Sequence, residues 1–272
     1  MIASAAYVGL AWHFWNTRWR RPAAAGGEAR AANGLRAWER AAILAPLALH
    51  GWLLYAVIFA AGELRFGFAQ ALSVMMWLGV AIYWVESLFY SLDGMEPLVL
   101  PLAALAAPLP AVFPGLASSA AYAQATEFRL HLALAMIAYS LFVIALLHAT
   151  LMAVAERQLH RKSGVVLSSL PPLLTLERLL FRVIGAAFVF LTLTLATGIA
   201  FSETLFGRAL RLDHKTVFAI LSWAAFGWLL AGRWLYGWRG RTALRWTLTG
   251  FAMLLLAYVG SRFVLEVVLE RP

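Results

Sequence analysis

The chain has no cysteine among its 272 residues, which removes disulfides, thiolate metal sites and CxxC redox pairs at once. Charge is scarce as well: 13% of residues are Asp, Glu, Lys or Arg, about half the roughly 25% of an ordinary soluble domain. Acids are the rarer sign, 13 against 22 bases. Any metal or cofactor chemistry therefore falls to histidine, carboxylate, tyrosine or methionine. No nucleophile–base set or metal-motif spacing points to hydrolytic catalysis, so no enzymatic activity is assigned.

Apolar residues fill the space that charge leaves. They make up 63% of the chain, and the mean hydropathy is +0.78. Crossing the hydrocarbon takes roughly 20 mostly apolar residues, and the sequence predicts about eight such helices. The expected fold is an all-α polytopic membrane bundle, one integral membrane domain over 1–272, with four spans in 1–127 and a core in 128–272. The net charge of +9 then reflects basic loops facing anionic lipid, not a nucleic-acid partner.

The predicted spans are Ile2 to Trp15, Ala41 to Ala61, Gly67 to Tyr90 and a proline-broken Leu98 to Phe113. In the second half they are Phe128 to Ala155, Leu179 to Phe201, Val217 to Gly232 and Trp246 to Val259. The first is short like a signal sequence, but no basic region precedes it, so it reads as a retained helix. The polar stretch Arg20 to Glu39 reads as a mobile cytoplasmic loop. Basic residues follow spans one (Arg18, Arg20, Arg21, Arg30, Arg36, Arg40), five (Arg157, Arg161, Lys162, Arg178, Arg182) and seven (Arg233, Arg239, Arg241, Arg245). These hold 15 of the 22 Lys and Arg, which predicts three cytoplasmic loops and both termini outside.

Ionisable groups at membrane depth are costly and become functional candidates by default. His131 and His214 sit at external helix ends. His50 is ten residues from Arg40, about 15 Å of helix, and His148 is eight from Glu156, about 12 Å. That spacing places the two at comparable heights. His131 and His148 share one helix but stand seventeen residues apart, about 26 Å, too far for one iron. Two pairs are then allowed: His131 with His214 outside, and His50 with His148 within. Neutral imidazole suits axial haem ligation, although a membrane histidine also serves simply to hydrogen-bond between helices. Glu86 reads as a packing carboxylate near the end of span three. Asp213 and Lys215 flank His214, with Asp213 as a helix cap. Thr192, Thr194 and Thr197 of span six are suited to bonding a neighbouring helix.

The order of features from Phe128 to Phe263 resembles a known family. A histidine opens a long helix (His131), followed by Leu170-Pro171-Pro172, Leu176-Glu177-Arg178-Leu179 and Leu195-Ala196-Thr197-Gly198. Asp213 to Lys215, Ser222-Trp223, Gly237-Trp238-Arg239-Gly240-Arg241 and Tyr258-Val259-Gly260-Ser261 complete it. This is similar to the cytochrome c assembly membrane proteins of the CcsA/CcmC/HemX type, and most like their YpjD-like inner membrane branch. The resemblance implies a multi-pass protein of the bacterial inner (plasma) membrane that binds haem b through histidines and works with apocytochrome c or other assembly subunits. His131 matches the family's first external histidine. The family's tryptophan-rich external segment is missing, since Phe201 to Leu212 contains no tryptophan. His214 occupies the proline position of the usual D-P-K, and the family's later histidines have no counterpart near Arg233 or after span eight. The expected function is a haem-binding, haem-handling accessory protein of cytochrome c biogenesis. Its alternative is a membrane scaffold or regulatory subunit without haem transfer. A transporter is disfavoured, because no inverted repeat emerges from the spacing.

Overall fold

The computed structural model describes residues 1–19, 34–59, 64–114, 117–118, 125–160, 172–206 and 213–268. Arg20, Arg21, Arg30, Arg161, Lys162, Leu170, Pro171 and the stretch 207–212 before Asp213 lie outside the described residues. The helices are α1 (Ile2–Phe14), α2 (Ala37–Ile58), α3 (Phe68–Phe89), α4 (Glu96–Ala106) and α5 (Leu109–Val112). They continue with α6 (Thr126–His160), α7 (Leu173–Phe206), α8 (His214–Tyr236), α9 (Gly240–Leu255) and the single turn α10 (Ser261–Phe263). Wider π-helical turns extend α1 to Trp19 and join α9 to α10.

Helices dominate for a physical reason: lipid offers no hydrogen bonds, so each spanning segment must satisfy its own backbone. Six are long and apolar enough to cross a membrane: Ala37–Ile58, Phe68–Phe89, Thr126–Arg157, Leu173–Phe201, His214–Tyr236 and Gly240–Phe263. Expected spans one and four are shorter elements. α1 is 13 residues long, and Glu96–Val112 is broken between α4 and α5 around Pro108. The two pack together, and Ser4 Oγ donates to the Ala104 carbonyl at 2.6 Å. One departure from an all-helical chain is a two-residue antiparallel ladder, β1 (Leu64–Arg65) with β2 (Ala117–Ser118).

The register of α2 against α3 is set by indole donors. Trp77 Nε1 donates to the Leu47 carbonyl at 2.9 Å and Trp84 Nε1 to the Arg40 carbonyl at 3.0 Å. Gly51 leaves room for the first of these rings, since a Cβ there would stand 2.8 Å from Trp77 Nε1. The second half closes around α6. Phe142 stacks on Phe226 of α8 with centroids 3.8 Å apart, and Tyr139 OH donates to the Leu254 carbonyl at 2.7 Å. Gly250 brings α9 against Phe226, and the buried Ser222 Oγ donates to the Gly250 carbonyl at 2.8 Å.

The α8–α9 turn is built as expected from its glycines. Gly237 adopts φ 66°, its N–H bonds to the Arg233 carbonyl, and Trp238 N–H reaches the Gly232 carbonyl at 3.3 Å. That is the two-bond left-handed helix end that glycine permits. Arg233 and Arg239 both reach Glu177 Oε1 of α7. The turn is thus clamped to its neighbour as well as charged.

At the start of α2, residues 34–39, expected to belong to a mobile loop, are held by hydrogen bonds and ion pairs. Arg18 pairs with Glu39 Oε2 at 2.9 Å and with Asp93 Oδ1 at 2.8 Å. Gly34 N–H donates to Asp93 and Arg36 N–H to Glu39, both at 2.8 Å. Burial raises the Asp93 carboxyl above its ordinary range, against the opposing pull of Arg18 and the Gly34 N–H. One guanidinium therefore holds α1, α2 and the α3–α4 connection together. Removing one partner of a buried ion pair costs about 3–5 kcal/mol, because the other charge stays buried alone. Arg18→Ala should accordingly lower thermal stability in detergent by several degrees. An unchanged melting temperature would show that the network is not structural.

Candidate functional site

His131 lies near the N-terminal end of α6 and turns toward α7. Its Nδ1 is 3.0 Å from Thr197 Oγ1. The threonine hydroxyl also lies within hydrogen-bond reach of its own helix, 2.8 Å from the Leu193 carbonyl and 3.0 Å from that of Thr194. With its single hydrogen given to either carbonyl, Thr197 accepts from His131 Nδ1–H, and Nε2 then keeps its lone pair. Gly198 makes the approach possible, since a Cβ there would stand 3.3 Å from His131 Cε1. Among the described residues nothing hydrogen-bonds to His131 Nε2.

His214 opens α8 and is exposed. Asp213 before it is the cap, accepting from Thr216 N–H at 2.9 Å, as expected. Lys215 is half-buried in the next position. Among the described residues His131 and His214 neither hydrogen-bond nor stack with each other.

The interior histidines do not share a level. His50 of α2 is fully buried, with Nε2 2.8 Å from Ser73 Oγ and its ring edge-on to Tyr7 at 5.8 Å. His148 of α6 is also fully buried, with Nδ1 2.9 Å from the Ile144 carbonyl and Nε2 3.6 Å from Glu86 Oε2. Ser73 and Glu86 both belong to α3, thirteen residues apart, or about 20 Å along the axis. The comparable heights expected from counting residues inward are thus corrected. α6 continues for twelve residues past His148, whereas α3 ends three residues past Glu86, so α6 projects beyond its neighbours. Glu86, expected to be a packing or hydrogen-bonding carboxylate, faces His148. Among the described residues Glu86 Oε2 and His148 Nε2 have no hydrogen-bond partner, and neither do His50 Nδ1 and the Tyr7 hydroxyl.

Three residues around these histidines were not singled out as their partners by sequence reasoning. Thr197 was expected to bond a neighbouring helix, but its partner was not identifiable, and Gly198 carried no signal beyond its place in Leu-Ala-Thr-Gly. Tyr7 had none. Among the described residues no three metal-ligating side chains converge.

Asp213 supports a pH prediction. Partial burial works against its charge, but the Thr216 N–H and hydroxyl, Lys215 and His214 outweigh it and hold the carboxyl below its ordinary range. A depressed folded value means that the cap stabilises above the ordinary aspartate range and is lost as pH falls through the depressed value. Asp213→Ala should cost about 1 kcal/mol at neutral pH, and Asp213→Asn should keep most of the cap while flattening the acid limb. Thermal melts of the three proteins between neutral and acid pH check this; identical acid limbs would remove Asp213 as the source.

Comparison with known proteins places this geometry in a lineage. The profile of the family described as Cytochrome C assembly protein matches residues 41–269. The chain is 36% identical to inner membrane protein YpjD of Escherichia coli K12 over 138 residues, 51% of this chain and 52% of that one. The chain thus spans about half the length of that relative. It is 33% identical over 213 residues to an uncharacterized 28.8 kDa protein of Azospirillum brasilense, covering 73% of this chain and 76% of the other. A shorter match, 34% over 89 residues, is to cytochrome c biogenesis protein CcsA of Prochlorococcus marinus, with 33% and 28% covered. No solved structure matches the chain.

Proposed function

The chain belongs to the cytochrome c assembly protein family, and on that premise we propose that it is a haem-binding accessory protein of cytochrome c biogenesis in the bacterial inner membrane. The observation that carries the proposal is the His131 ring: its Nδ1 is 3.0 Å from Thr197 Oγ1, and among the described residues nothing hydrogen-bonds to its Nε2, which leaves that nitrogen for a ligand. A carbonyl or hydroxyl on the far nitrogen is the support that iron-ligating histidines usually have. The donor chemistry therefore fits haem b, which His131 would hold, with His214 at the start of α8 as the candidate second ligand. His50 and His148 would each offer at most one ligand, at different depths. Bound haem would supply the group that apocytochrome c takes up, and this chain's part would be to bind it and keep water from it.

The same reading puts α1 and the α4–α5 pair in the bilayer beside the six long helices, making eight spans with both termini outside. Residues 1–127 then carry four spans and 128–272 the assembly-like core. The absence of cysteine makes this testable. In an otherwise cysteine-free protein, Glu127→Cys should react with an impermeant maleimide added outside intact spheroplasts, and Arg241→Cys should react only after lysis. The reverse pattern would sink the topology.

A second reading, a scaffold or regulatory subunit without haem transfer, is favoured by one observation: no tryptophan occurs in 201–212, where the family presents its aromatic external surface. Absorption spectra decide between the two. Protein purified in mild detergent and reconstituted with haem should show a Soret band and a reduced α-band, lost or strongly shifted in His131→Ala. Wild-type protein that takes up no haem at any stoichiometry leaves the scaffold.

A further inference from the structure

Thr197 and Gly198 are adjacent residues on α7, and both act on one ring of α6. Thr197 Oγ1 lies 3.0 Å from His131 Nδ1 and also within reach of two carbonyls of its own helix, Leu193 at 2.8 Å and Thr194 at 3.0 Å. A threonine hydroxyl with no other acceptor would serve either tautomer, donating to a bare Nδ1 or accepting from a protonated one. Two carbonyls competing for its one hydrogen favour the arrangement in which Thr197 accepts and Nδ1 carries the proton. Gly198 controls the position of the ring. A Cβ at this residue would come within 3.3 Å of His131 Cε1, closer than most real contacts of that kind, so the ring would have to give way. Cε1 is bonded to both ring nitrogens, and displacing it re-aims Nε2.

We propose that the Thr197-Gly198 step of α7 is the positioning platform for His131, with Thr197 fixing the proton on Nδ1 and Gly198 setting the direction of the Nε2 lone pair. Neither residue touches the ligand; both act through His131. The inference rests on the assignment of His131 as a haem ligand, and it adds which residues tune that ligand. A hydrogen bond at Nδ1 makes the imidazole more basic at Nε2, strengthening its bond to ferric iron. Losing the bond should therefore raise the haem midpoint potential and weaken haem binding by roughly 10–100-fold, the usual cost of removing the partner of a ligating histidine.

The test compares wild type with Thr197→Val, Thr197→Ser, Gly198→Ala and His131→Ala. Valine keeps the shape of threonine without the acceptor, and serine restores the hydroxyl. The expected result is a positive potential shift and weaker haem binding in Thr197→Val, recovery in Thr197→Ser, and altered ligand-field bands in Gly198→Ala. A wild-type potential and affinity in Thr197→Val overturns the proposal while leaving haem binding intact. If wild type binds no haem, it is the functional reading that fails. The platform is then judged on the haem-free protein by nitrogen-15 NMR of its histidines. A protonated Nδ1 and a bare Nε2 at His131 in wild type, mixed in Thr197→Val, supports it; the same tautomer ratio in both overturns it.

Discussion

A polar group buried where water and lipid offer no partner must find one inside the chain, and this structure is arranged around that requirement. The indole N–H groups of Trp77 and Trp84 reach backbone carbonyls of α2 and so set the α2–α3 register. The Ser222 and Tyr139 hydroxyls reach backbone carbonyls at and beyond the middle of α9 and draw it into the core. Arg18 joins two carboxylates from two different segments. In a bundle where apolar side chains are as content in lipid as in protein, such contacts specify which helices meet and at what height.

The same requirement explains the histidines. Each buried or half-buried ring has one nitrogen bound to a neighbour: His50 to Ser73, His131 to Thr197, His148 to the carbonyl of Ile144. Helical packing alone is satisfied by those bonds. The second nitrogen is what distinguishes them. At His131 it has no hydrogen-bond partner among the described residues, near the N-terminal end of α6. At His148 it faces a carboxylate oxygen that has no hydrogen-bond partner among the described residues. On the function proposed above, this difference selects His131 as the haem ligand, with Glu86 and His148 as a separate polar contact near the C-terminal end of α3.

Much of the architecture was legible in residue order. Six of the expected spans coincide with long helices because hydropathy over some 20 residues is a local property. The Asp213 cap and the Gly237 helix end were equally readable, since each depends on residues within one turn. The shortness of α1 and the proline break between α4 and α5 were legible too, though not their ends, which Pro108 and the π-helical turn after Phe14 determine. The Arg20-to-Glu39 loop was misjudged at its end, because the order of Gly34 to Glu39 comes from Arg18 and Asp93, far away in sequence.

By itself, the sequence determined that this protein is a helical membrane protein of the cytochrome c assembly family, which residues cap and turn its helices, and that cysteine has no part in its chemistry. Only the tertiary structure decided the depth and direction of those histidines. Depth could not be counted from loop charges, because α6 projects past α3 and the count assumes flush ends. Nor could the partner of His131 be found from sequence, because Thr197 is 66 residues away on α7. Helix periodicity is local, whereas the surroundings of a half-buried imidazole depend on whichever atom packing brings to within 3.0 Å of it.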